Sequence, residues 1–372
     1  GIYFTNSDNN VLENNTVSYN SDYGIYISYT ESVTLKNTVL TNDGILIRGS
    51  SQSHWTSHDI YLTNTVNGKP VRLWKNRTSG TVPIDTGQVI LANCTGVNVE
   101  DQNIDSSSVG ILVGHSTDIS VRNNTVSDND DGIYLHYSDN NILENNTADS
   151  NEKGFYLDES NNNKLENNSF YSNTNDGIYM SWSESNVIKN NNFSSNSDGI
   201  YLSRSDSNTL VNNTISSSSS NGLEFHSSDS NFLQNNTVSD SNYYGIYISN
   251  SRNNTLKNTK MIDDGILLGG TNVEYWNTHS IDTSNMVNGR PVRYWKDKTD
   301  GNIPADTGQV ILANCTGVTV ENKKYDNSSI GILLGYSYNN NLMNNTLQDN
   351  DDGIYTYYSD SNTLKNNTVF DN

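Results

Sequence analysis

The chain has 372 residues, with 21 Lys and Arg against 42 Asp and Glu, a formal net charge of −21 and 33% hydrophobic residues. That balance excludes the basic face that nucleic acid or an anionic membrane requires, and no apolar run reaches the roughly 20 residues of a spanning helix. A polar, Asn- and Ser-rich composition is also that of disordered chains, but the periodicity below, with 23 Tyr and 5 Trp, predicts a packed fold.

Taken from the N-terminus, a Gly-apolar-Tyr-apolar unit appears as GIYI at Gly24 and, without the tyrosine, as GILI at Gly44. Residues 50–100 break the rhythm. It resumes with GILV at Gly110, GIYL at Gly132, GFYL at Gly154, GIYM at Gly177, GIYL at Gly199, GLEF at Gly222, GIYI at Gly245 and GILL at Gly265. A second break covers 271–321, followed by GILL at Gly331 and GIYT at Gly353. The steps from Gly110 to Gly265 are 22, 22, 23, 22, 23, 23 and 20 residues, and each break leaves a gap of 66, three times 22. Between the glycines runs L-x-N-N-T, as in Leu12–Val17, Leu143–Ala148 and Leu364–Val369.

Each unit therefore holds two short alternating segments joined by polar turns, a strand pattern. A unit this short cannot bury its own apolar face and must stack on its neighbours. The expected fold is all-β: a right-handed, single-stranded parallel β-helix of about 17 coils of 22–23 residues, continuous over 1–372 apart from two irregular segments. Residues of equal phase would stack ~4.8 Å apart. Asn124, Asn146, Asn168, Asn191, Asn213 and Asn236 then share one column, where amides bond to one another.

A longer period overlies the short one. Residues 1–151 correspond to 222–372 at an offset of 221, and 152–221 occur once; DTGQVILANCTGV is identical at Asp85–Val97 and Asp306–Val318. Neither end carries a polar cap, which predicts a longer parent chain or ends that stack on something. Cys94 and Cys315 lie about ten coils apart on that reading, too far for a disulfide, and are expected as buried thiols.

The GIYL and L-x-N-N-T phrases resemble the parallel β-helix repeats of NosD-like proteins, also described as carbohydrate-binding and sugar-hydrolase (CASH) domains. The stretches Val66–Asn76 and Val82–Val97 are similar to a segment of large archaeal cell-surface proteins, and disaggregatase-like proteins contain such repeats. The resemblance implies a secreted, cell-surface setting and a link to polysaccharide. No catalytic motif comes with it, and the D-P-H pattern of β-helical uronate epimerases is absent.

Four sets of residues are candidates for function. The tyrosine of each GIYL unit lies between two inward apolar residues, so Tyr26, Tyr134, Tyr156, Tyr179, Tyr201, Tyr247 and Tyr355 are expected as an outward stripe, for contact with sugar rings or protein. In KPVRLWK and RPVRYWK, alternation pairs Arg72 with Trp74 and Arg293 with Trp295, a cation beside an indole suited to an anionic sugar. Trp55 with His58, and Trp276 with His279, precede those segments and complete the ligand-binding candidates. The turns SDNDDG and QDNDDG place Asp128, Asp130, Asp131, Asp349, Asp351 and Asp352 as oxygen donors for Ca2+, although without the twelve-residue EF-hand frame; tight turns ask for the same residues. Fourteen N-x-S/T sequons occur, with Asn76, Asn327, Asn14, Asn93 and Asn314 as glycosylation candidates; several sequons within N-N-T phrases are expected to point inward.

The sequence thus predicts an extracellular, cell-surface β-solenoid that self-associates end to end or laterally and presents a glycan- or protein-contacting face. The alternatives are a polysaccharide lyase or hydrolase of the disaggregatase kind and a non-catalytic carbohydrate-binding module.

Overall fold

The computed structural model describes residues 1–372, and they divide into two compact units, 1–197 and 198–372. Each unit is a right-handed parallel β-solenoid, with only four-residue helices at Ser53–Thr56 and Glu274–Asn277. In the first unit, successive coils pair in register: Ile111 beside Ile133, Ile133 beside Phe155 and Phe155 beside Ile178. Apolar residues of alternate phase point inward and are buried, among them Val121, Leu143, Leu165 and Ile188. The glycine that opens each coil sits where main chains stack too closely for a side chain: a Cβ at Gly132 would lie 2.6 Å from the carbonyl oxygen of Gly154.

The expected asparagine column is present, and others accompany it. Asn124 Nδ2 donates to Asn146 Oδ1 at 2.9 Å, and Asn146 Nδ2 to Asn168 Oδ1 at 3.0 Å. A second column runs through Asn129, Asn151, Asn173 and Asn196. In the second unit Asn213 bonds Asn236 in the same way.

The solenoid is not one uninterrupted run. At Thr65–Val66 the chain meets an Asn67-Gly68 turn with φ of 50° and 81°, the type I′ geometry that closes two-residue hairpins. Val66 and Thr65 pair antiparallel with Lys69 and Pro70, and the coils then run back beside those already laid down. The strands Ile2–Thr5, Ile25–Ser28 and Ile45–Arg48 come to rest against the Gly-Tyr face of the later coils. Ser108 Oγ accepts from the amides of Gly24 and Gly44, at 3.1 and 2.9 Å. The Gln88 side chain accepts from Ile45 N at 2.9 Å and donates to Ile45 O at 2.6 Å.

The second unit repeats the device. Asn288 and Gly289, with φ of 49° and 75°, turn Met286–Val287 antiparallel onto Arg290–Pro291. Ser329 then takes the amides of Gly245 and Gly265, and Gln309 brackets Ile266. The segments 50–100 and 271–321 are therefore fold-backs, not loops on a continuous rod.

Candidate functional site

The fold-back changes where the tyrosines lie. Tyr134 is only 1% exposed, stacked on Tyr156 with centroids 4.5 Å apart, and Tyr26 and Tyr156 pack half-buried against the same apolar cluster. Tyr179 is half-buried beside Tyr156, and Tyr201, Tyr247 and Tyr355 are half-buried in the second unit. The expected outward stripe is thus corrected in part: in the first unit Tyr26, Tyr134 and Tyr156 fill the seam between two runs of coils. Alternation gives a side chain's face, not whether another run covers that face.

Trp55 and Trp276 anchor the seams. Each indole is fully buried and donates to a main-chain carbonyl, Gly49 or Gly270, at 2.9 Å. Each lies over a glycine, Gly114 or Gly335, where a Cβ would come within 2.2 or 1.9 Å of a ring atom. His58 and His279 are buried, with both ring nitrogens engaged by main chain: Nδ1 accepts from Val33 or Asn254 at 3.2 Å, and Nε2 faces the carbonyl of His54 or Tyr275. Burial lowers both histidine pKa values, that of His279 to about 4. These four residues are framework and offer a ligand no free face.

Arg72 and Arg293 are tied to the loop opposite: Arg72 donates to Thr86 Oγ1 at 3.0 Å, and Arg293 to the Asp306 carbonyl at 3.1 Å. The cation over the Trp74 indole is Arg77, 5.4 Å from the ring centroid, so the expected Arg72–Trp74 pair is corrected. Trp295 packs against the core of the second unit. Cys94 and Cys315 are buried and unbonded to each other; each thiol donates to a tryptophan carbonyl at 3.3 Å, Trp74 or Trp295.

One polar network in the first seam has no counterpart in the second copy. Asp158 Oδ2 accepts from Arg48 Nη2 at 2.7 Å and from the Tyr134 hydroxyl at 3.1 Å, with His136 Nδ1 at 3.0 Å. Against the effect of burial, His136 and Arg48 hold this carboxyl below the usual range. At the offset of 221, Arg48 and His136 correspond to Gly269 and Tyr357, and Asp158 falls in the single-copy coils. Nearby, burial and then Asp131 push Asp130 up to about 7, and burial pushes Asp131 up to about 6 despite Lys153 at 3.7 Å. Asp128 and Asp349 are exposed; in the second unit Asp351 rises to about 6 and Asp352 also rises, both chiefly by burial. Nowhere do three or more His, Cys, Asp or Glu side chains converge to hold a metal ion, so the Ca2+ expectation finds no donor cage.

The open surface lies elsewhere. The residue after each Gly-Tyr strand has left-handed backbone, and the position is Asn at 76 and 93 but His115, Tyr137, Glu159 and Trp182 in the following coils, with φ between 47° and 55°. His115 stacks on Tyr137 with centroids 5.1 Å apart, and Trp182 is 54% exposed. With Asp139, Asn161 and Glu184, the last three line an open groove of about 460 Å³. The shelf is held by main-chain bonds: Asp139 accepts from Asn161 N at 2.6 Å, and Asn161 from Glu184 N at 2.7 Å. In the second unit the same turn position gives Asn314, Tyr336 and Tyr358, the two rings stacked at 5.2 Å. This ledge escaped the sequence reading. Its signal was available: GIYLHY, GFYLDE and GIYMSW end on bulky residues at the turn that Asn76, Asn93, Ser227, Asn250 and Asn314 occupy in other coils.

The sequon asparagine of each N-N-T phrase is also left-handed and exposed, as at Asn14, Asn123 and Asn145, while the next asparagine enters the ladder. The expectation that several sequons point inward is therefore corrected. Asn76, Asn314 and Asn327 are exposed, and half-buried Asn93 donates to Asn76 Oδ1 at 2.7 Å.

Residues 54–219, 171–272 and 269–372 match the model of a family described as periplasmic copper-binding protein (NosD), and residues 1–81 match the model of a right handed beta helix region. No curated protein sequence matches the chain. Solved structures with a similar fold include the A-module of the mannuronan C-5 epimerase AlgE6 from Azotobacter vinelandii, 15% identical with a TM-score of 0.43 over 99% of this chain and 90% of that one. The periplasmic alginate epimerase AlgG is 13% identical with a TM-score of 0.43 over 99% and 78%, and an exopolygalacturonase from Thermotoga maritima 13% identical with 0.45 over 74% and 73%. These likenesses extend to architecture alone. The copper of the family description does not fit the donors present: His58 and His279 are committed to main chain, both thiols to carbonyls, and no cluster forms.

Proposed function

We propose that this chain, which belongs to the family described as periplasmic copper-binding protein (NosD), is a non-catalytic solenoid scaffold of the cell exterior that presents a polysaccharide-contacting ledge. The observation that carries this reading is the ledge itself: bulky residues held in a backbone conformation that disfavours them, with an indole open to solvent. The one constellation that resembles an acid–base set, Arg48, Tyr134, His136 and Asp158, lies inside a seam, with the His136 side chain 7% exposed. A substrate cannot reach it without parting the runs, which favours a clamp over an active site.

Co-sedimentation with cell-wall polysaccharide, alongside a reducing-end assay, tests this reading. Binding without cleavage is expected; release of reducing ends or unsaturated uronate overturns it in favour of a hydrolase or lyase. The scaffold role carries with it association of copies, end to end or side by side, and glycans on the exposed sequons. Electron microscopy of native material would then show fibres or sheets, and dispersed single particles overturn that part.

A further inference from the structure

We propose that His115 and His136, packed against the Trp55 indole, and His54, beside it in the chain, form an acid-sensitive latch. It closes the first seam at neutral pH and releases segment 49–57 as the pH falls. The second copy keeps the ring packing and lacks the latch.

The two copies differ here in one concerted way. At the offset of 221, all three histidines become tyrosines: Tyr275, Tyr336 and Tyr357. The packing is kept. Trp55 lies 6.0 Å from His115 and 5.7 Å from His136, ring centre to ring centre, and those two rings are 6.4 Å apart. Trp276 lies 6.3 and 5.5 Å from Tyr336 and Tyr357, which are also 6.4 Å apart. An imidazole is therefore not needed to fill these places, and what it adds over a phenol is titration near neutral pH. The Gly49 carbonyl accepts from Trp55 Nε1 at 2.9 Å and faces His115 Nε2 at 3.1 Å. A carbonyl can only accept, so Nε2 carries the proton of the neutral ring, and one oxygen holds both the indole and His115. In the second copy the Gly270 carbonyl holds Trp276, and the Tyr336 hydroxyl is buried without a partner.

Few charges face the three rings. From the first run come Tyr29, against His54, and His58, whose Nε2 meets the His54 carbonyl. Glu31 and Lys75 act on His58, and Glu31 accepts from Ser53. From the later coils come Tyr134, Asp158 and Tyr137, the last bonded to Glu159. Asp158, the one carboxylate that touches an imidazole, is already shared between His136 and Arg48. Burial lowers the His115 pKa, and His136 and His54 add to this against the Gly49 bond. The unfolded chain therefore takes up this proton first. The latch contributes fully above the ordinary histidine value of 6.5, and its contribution is lost as the pH falls below it.

Hydrogen exchange of the full chain, read by mass spectrometry and corrected for intrinsic rates, would compare about pH 7.5 with about pH 5. Segment 49–57 is expected to exchange tenfold or more faster at the lower pH, while segment 270–278 keeps its protection. Tyrosine already packs at each place in the second copy, so His54→Tyr, His115→Tyr and His136→Tyr together should abolish the acid response. His115→Tyr alone should cut it at least threefold and leave protection at neutral pH intact. Because His136→Tyr also removes a partner of Asp158, the single variant decides the matter if the triple one does not fold. An equal acid response in both segments, no response in either, or a response undiminished in His115→Tyr overturns the inference. None of these results depends on polysaccharide binding, so the scaffold reading stands or falls by its own test.

Discussion

Asn146 accepts from the main-chain and side-chain amides of Asn124 and donates to Val121 O and Asn168 Oδ1. Its side chain leaves no buried valence unmet. Asn146→Ala strands at least one of these buried groups, at about 1–3 kcal/mol, and urea denaturation should show that loss. Asn145, one residue earlier, is exposed with φ of 56°, and Asn145→Gly should change stability by no more than about 0.5 kcal/mol. Asp130 behaves oppositely. Asp130 titrates at about 7 in the folded chain, against the 3.8 of an ordinary aspartate, chiefly through burial, and its Oδ2 is buried without a hydrogen-bond partner. The folded state therefore binds more protons than the unfolded state between those values, and stability falls as pH rises from about 4 to 7. Asp130→Asn should raise the melting temperature clearly at pH 8 and little at pH 5; an equal shift at both would contradict this origin. At this scale the ladder asparagines were legible, because repetition fixes their phase. The raised Asp130 was not, because Glu152 approaches it from the next coil and Asp22 from the other run.

The Asn67-Gly68 hairpin decides the element-level organisation. Gly68 has φ of 81°, and a Cβ there would touch nothing within 4 Å. Gly68→Ala thus isolates the backbone cost of a left-handed residue, about 1–2 kcal/mol, and Gly289→Ala should lose about the same; circular dichroism melts of the two variants check the match. Gly114→Ala is a different kind of change, because its methyl would collide with the buried Trp55 indole. It should expose that ring, shifting tryptophan emission to the red. The strands themselves were readable from the alternation around each glycine. The hairpin was also written in the sequence, as VNGK and VNGR with the preferred Asn-Gly pair. Reading those stretches as irregular missed it, because the coil period is lost there and a turn reverses the chain without disturbing strand polarity patterns on either side.

At the scale of the molecule, the two copies diverge where their seams close. Arg48, half-exposed, reaches Asp158 in the first unit, whereas the second copy has Gly269 in its place. Arg48→Gly leaves the Asp158 carboxylate with less compensation for its burial. It should make the first unit more susceptible to limited proteolysis, while fragments from the second unit keep their wild-type protection. The duplication of 221 residues was plain in the sequence; that each copy encloses its own Gly-Tyr face was not, since nothing within one coil reports on a coil laid beside it.

The fold-back also alters how a unit would carry load. In a simple solenoid, force along the axis passes from coil to coil in series, and the weakest coil sets the strength. In the first unit the run 1–66 is fastened alongside later coils through Ser108, Gln88, the Trp55 indole over Gly114, and Arg48. Over that length a coil of the first run cannot part from the stack without also breaking the bonds that tie it to the other run.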